Sequence, residues 1–218
     1  TVMHHIILTK RETMKKLFFL FFILYSSIVN AQGLIGTPKS LILVYNYPKN
    51  HFYIEIYGID KKTTERKNVF NIDNKAVQIL ALNKAKFLTD TLIEFSNIDL
   101  MKIYINWEIN YIENNYYKNT NNKYEFLKSK KGRDIAFWTY EMPTGEPEIV
   151  TGSTRTTPTL KQMFVITRSK DYIIGINSPL FDKEKYDEIK EYLITNIDGL
   201  VESDKEIDID ELNNQVNK

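Results

Sequence analysis

The chain has 218 residues, 29 of them Lys or Arg and 28 Asp or Glu, with 14 tyrosines and no cysteine. A near-neutral balance lacks the basic stripe that nucleic-acid binding requires. Without cysteine there is no disulfide, no thiol nucleophile and no thiolate metal site, so packing alone must hold the fold.

The stretch "MKKLFFLFFILYSSIVNAQ", residues 14–32, has three parts. Lys15 and Lys16 supply a positive start, Leu17 to Val29 is an apolar run of 13 residues, and Val29-Asn30-Ala31 places short residues where a signal peptidase reads. A spanning helix needs about 20 apolar residues, so 14–31 is expected to be a cleavable export signal rather than an anchor. No cysteine follows the run to carry a lipid. A signal's charged region normally opens the protein, and Met14 stands directly before the lysines. Residues 1–13, with His4 and His5, therefore read as a mis-assigned N-terminal extension. Removing Lys10, Arg11, Lys15, Lys16 and Glu12 from the totals leaves 25 basic and 27 acidic residues in 32–218. That length suits one domain with a full core. Abundant Ile, Lys and Asn fit an AT-rich bacterial genome, which is a codon effect.

"SLILVYNY" (40–47) and "HFYIEIYG" (51–58) are β-branched and aromatic runs around Pro48-Lys49-Asn50, the pattern of a hairpin. Residues 68–72 and 76–82 form a second hairpin through "DNK", because Asp and Asn tolerate the positive φ of a tight turn. Residues 98–117 fit two periods. A strand of that length would be unusual, and Leu100, Ile103, Trp107 and Tyr111 share one helical face, with Asp99 as the expected N-cap. A helix is expected there. "DIAFWTYEM" (134–142) reads as a strand, and 143–159, rich in Thr, Pro and Gly, as a long loop. Residues 162–167 and 172–177 flank "RSKD" as a third hairpin, apolar on both faces and so expected to be covered on both sides. Residues 182–200 form the clearest helix, with Tyr186, Ile189, Leu193, Ile197 and Leu200 as its stripe, Asp182 as cap and Gly199 as stop. The single domain is expected to span 32–201, leaving 202–218 as an acidic, disordered tail.

The expected class is α+β: a mostly antiparallel sheet of hairpins flanked by two main helices. Tyr47-Pro48 after a strand, "KGRDIAFWTY", "DYIIGINSP" and the final helix through "EIKEYLITNIDGL" give the chain a pattern that resembles the PsbP-like α/β/α sandwich, shared by the photosystem PsbP subunits and the Ran-binding Mog proteins. That family consists mostly of adaptors and assembly factors. The resemblance implies a non-catalytic role here.

In 32–218 one histidine remains, His51, which reads as a strand-end residue. Zinc and most transition-metal sites need two or three His or Cys, and Ser-His-Asp chemistry needs a positioned His. No Gly-rich phosphate loop and no GxSxG is present. No cofactor or metal is expected. Glu141, Glu146 and Glu148 near Trp138 and Tyr140 could form a carboxylate pair of the glycosidase kind, although the bland reading is core aromatics beside solvated acids. The tail acids Asp204, Asp208, Asp210 and Glu211 lack EF-hand spacing. The long loop is the better place for function, because compact domains seldom keep such loops without a binding role or disorder. Trp138, Tyr140, Glu141 and Arg155, at the loop and its base, are the candidate ligand- or partner-binding residues. The expected function is an exported, non-catalytic binding or assembly domain of the bacterial cell envelope, periplasmic or extracellular, engaging an envelope protein or ligand. It is expected to bind no nucleic acid and to keep no membrane span after signal cleavage. The alternatives are a secreted carboxylate-dependent hydrolase and an envelope structural protein.

Overall fold

The computed structural model describes residues 32–115, 119–142, 149–150, 153–154 and 159–218. The extension and signal readings, and Arg155, Glu146 and Glu148, lie outside the described residues.

The three hairpins form where their turns demand them. Strands β1 (Gly33–Gly36), β2 (Ser40–Tyr47) and β3 (Asn50–Tyr57) make a meander, and β4 (Lys61–Thr63), β5 (Val69–Ile72) and β6 (Lys75–Asn83) a second. Between β5 and β6, Asp73 and Asn74 both carry positive φ, 47° and 63°. That is the primed turn whose twist matches the strands it joins. Helix α1 (Asn97–Asn115) follows, then β7 (Lys123–Lys128) and β8 (Asp134–Glu141). The two-residue strands β9 (Ile149–Val150) and β10 (Ser153–Thr154) pair with each other. β11 (Lys161–Ser169) and β12 (Tyr172–Leu180) close around Lys170 at φ 49°. Helix α2 (Tyr186–Ile197), β13 (Leu200–Ser203) and helix α3 (Ile209–Val216) complete the chain.

The α+β class holds, with antiparallel pairing between all the strands. The single expected sheet is in fact two main sheets, ordered β1-β2-β3-β13 and β4-β5-β6-β12-β11-β8-β7. Helix α1 covers one face of the seven-stranded sheet, packing against Leu80, Trp138, Phe164, Ile166 and Ile173. The other face carries the four-stranded sheet and α2, joined through Tyr45, Ile54, Ile79, Val165, Ile174 and Leu193. Both faces of β11 and β12 are thus covered, as their apolar runs require. The extra sheet closes through β3 and β13, pairing Leu200 with Ile54 and Ser203 with His51. Gly199 enables the approach: a Cβ there would lie 2.0 Å from the Glu55 carbonyl oxygen.

Four further expectations change. The tail does not fray. Asn46 mimics a strand neighbour, its amide donating to the Ile207 carbonyl at 2.9 Å and accepting from the Ile207 N–H at 2.9 Å. Asp208 then caps α3 by accepting from the Glu211 N–H, and Leu212 buries on the outer face of the four-stranded sheet with Ile35, Ile42 and Val44. At α1 the cap is Ser96, whose hydroxyl accepts the Asp99 N–H at 3.1 Å and meets the Asp99 carboxylate at 2.7 Å. Asp99 is instead the third helical residue, bonded to the cap through its N–H and its carboxylate. The core face of α1 is also rotated from the expected stripe: Met101, Tyr104, Ile105, Glu108, Ile109 and Ile112 join Leu100 in the interior, and Ile103, Trp107 and Tyr111 are only half-buried. Helix α2 starts at Tyr186 after a 3-10 turn at Lys183–Lys185, with the Asp182 carbonyl accepting from the Lys185 N–H at 3.1 Å.

Candidate functional site

Strand β8 alternates between the two covered faces of the large sheet, so Trp138 and Tyr140 both point under α1. Neither is open to ligand. Trp138 is 0% and Tyr140 1% exposed, and the Trp138 ring stacks on Phe164 with centroids 4.1 Å apart and planes 14° apart. Among the described residues the Trp138 Nε1–H finds no hydrogen-bond partner. Its value to the fold is therefore ring burial alone, about 3–5 kcal/mol against alanine.

Glu141 ends the strand at the surface. It lies across from Lys161 in the β8–β11 register, and the ammonium sits 3.0 Å from its carboxylate. Its backbone N–H donates to the Thr120 carbonyl at 2.8 Å, and Thr120 is itself tied to Glu113 through a 2.8 Å hydroxyl contact. A hydrogen bond from Asn121, followed by the bond and charge of Lys161, holds the Glu141 carboxyl below its ordinary range. A general acid needs the opposite shift, a carboxyl raised by burial or by a like charge.

The other candidates have structural partners. His51 Nδ1 lies 3.3 Å from the Asn46 side-chain oxygen. Asp204 pairs with Lys170 at 3.3 Å, and Asp208 caps α3. Among the described residues no group of three or more His, Asp or Glu could hold a metal ion, and no helix is long and apolar enough to cross a membrane. Between the sheets, Tyr47 stacks on Tyr172 at 4.9 Å, while the neighbouring Tyr45 hydroxyl is pushed up in pKa by burial.

A surface the expected sites omit runs along the outside of α1. Lys102, Asn106, Asn110 and Asn114 are exposed at intervals of four. Beside them the half-buried Trp107 and Tyr111 rings lie 6.1 Å apart with only 12° between their planes, and Phe87 meets Trp107 at 6.2 Å. The four-residue spacing of the amides was the signal in the sequence that could have found this face.

No family model matches the chain, and no curated protein matches it. Among solved structures it is similar to the solution structure of cyanobacterial PsbP (CyanoP) from Synechocystis sp. PCC 6803, at 8% identity and a TM-score of 0.41, over 79% of this chain and 98% of that one. The α+β class rests on the strands and helices themselves.

Proposed function

We propose that the protein is an exported, non-catalytic binding or assembly domain of the bacterial cell envelope. The observation that carries the non-catalytic half is Glu141. Of the candidate acids, the one among the described residues is closed into an ion pair with Lys161 and bonded to Asn121. A carboxyl held low in pKa has no proton to deliver near neutral pH. Trp138 and Tyr140, which would have to stack a substrate beside it, are spent on the core. Export is supported by the three-part stretch at residues 14–32.

Mass spectrometry of the protein from its native envelope fraction should show an N-terminus at Gln32. An intact mass that includes Leu17 to Val29 would contradict export. Turnover of any member of a glycoside panel, abolished by Glu141→Gln, would contradict the non-catalytic half.

A further inference from the structure

Three asparagines lie in a row on the outer face of α1. Asn106, Asn110 and Asn114 are exposed, and none makes a side-chain hydrogen bond among the described residues. Elsewhere the chain uses this residue structurally: Asn46 holds Ile207, Asn83 caps a 3-10 turn, and Asn196 accepts the Tyr57 N–H at 2.6 Å. An AT-rich genome supplies Lys as readily as Asn, and Lys is the better helix former by a few tenths of a kcal/mol per residue. Codon bias therefore does not explain amides at three exposed helical positions.

Their neighbours complete a surface. Positions three apart on a helix are adjacent, which puts Asn110 beside Trp107 and Asn114 beside Tyr111. The two rings are nearly parallel, 12° apart, and both are half-buried. Phe87 and Tyr104 brace Trp107, each with its centroid 6.2 Å away. A flat ring such as that of Trp107 packs against the C–H side of a sugar. Each amide offers two donors and an acceptor to hydroxyls that both give and accept. The amide row is uncharged, and only Lys102 extends it with a charge, so the face has no set of cations for phosphates. From Asn106 to Asn114 the row runs about 12 Å along the helix, which suits several linked rings better than a single small solute.

We infer that the outer face of α1 binds a neutral oligosaccharide. The inference rests on the binding-domain reading above and names its ligand class. The chain has two tryptophans, and Trp138 is sealed in the core, so a ligand on this face changes the emission of Trp107. The test titrates residues 32–218 with tetramers to hexamers of β-1,4-glucose, α-1,4-glucose and N-acetylglucosamine, by fluorescence and calorimetry. At least one oligomer should bind saturably. Trp107→Phe should remove the fluorescence change, and the triple variant N106K/N110K/N114K should weaken Kd by about tenfold or more, the worth of one or two neutral hydrogen bonds. The triple variant should keep or raise Tm, which separates lost binding from lost folding. No binding of any oligomer by calorimetry overturns the inference, as does full-strength binding by the triple variant. An oligomer that is bound and then cleaved leaves this site standing and removes the non-catalytic reading. An envelope protein partner captured without any sugar binding does the reverse.

Discussion

Helices α1 and α2 each press an apolar side onto the seven-stranded sheet, α1 on one face and α2 on the other. Their outward sides are composed differently. On α2, Glu188 pairs with Lys75 at 2.9 Å, Glu191 with Lys130 at 2.5 Å, and Lys190 with Glu125, a β7 residue. Each such exposed pair contributes little, a median of about 0–1 kcal/mol, but together they leave that exterior internally matched. The α1 exterior has amides and rings where α2 has ion pairs. One exterior is tied to the rest of the fold by ion pairs, and the other presents the amides from which a binding role is inferred.

The largest effect that sharpens this contrast compares the two tryptophans. Trp138→Ala empties a sealed, stacked position and should cost about 3–5 kcal/mol, seen as a fall in Tm of about 6–20 °C. Trp107→Ala removes a half-buried ring and should cost about 1–2 kcal/mol, inside the usual range for single substitutions. Equal losses in thermal melts would show the α1 exterior to be core and break the comparison.

Of intermediate size is the tail. Ending the chain after Asp204 removes Ile207, Ile209 and Leu212 from Ile35, Ile42 and Val44. Losing one fully buried leucine's worth of apolar contact costs about 1.5–3 kcal/mol. Chemical denaturation should find the truncated chain folded but weaker by that amount, with newly exposed apolar surface binding a hydrophobic dye. Unchanged stability would mean that the tail rests on the sheet without holding it.

The smallest effect concerns Glu141. Its carboxyl is lowered below the ordinary value of 4.5, first by the hydrogen bond from Asn121 and then by Lys161. A depressed folded pKa stabilises at pH above the unfolded value, and that contribution is lost as pH falls through the folded value. An NMR titration of the Glu141 carboxyl should therefore find its midpoint below 4.5, and Lys161→Met should move it upward. A midpoint raised toward neutrality would restore the acid–base reading of this strand end.

The hairpins and helices were legible because their signals are local. Asp73-Asn74 marks a turn that needs left-handed backbone, Pro48-Lys49-Asn50 and "RSKD" interrupt their apolar runs, and the 20 residues of 98–117 are too long a run for a strand. The second sheet was not legible, because the pairing of β3 with β13 joins residues about 150 apart and leaves no local pattern. The α1 core face departs from the expected stripe for a physical reason: Trp107 and Tyr111 look like core by hydrophobicity, while the buried Glu108 looks like surface. The same confusion hid the candidate face. At β8 the aromatic residues were legible but not their sealing by Phe164 and α1, which depends on packing. The tail's charge suggests disorder, and its order comes from Leu212, Ile207 and Ile209 on the sheet and from the bidentate Asn46, none of which is a local signal.

The most direct test of the account is an NMR titration of residues 32–218 with the oligosaccharide that binds in calorimetry. Backbone and side-chain amide shifts should change along Lys102–Asn115, with the Asn106, Asn110 and Asn114 side-chain amides moving most, while α2 and the Glu141–Lys161 end stay still. Shifts concentrated at Tyr140, Glu141 and Lys161, or an absence of any localised change, would contradict it.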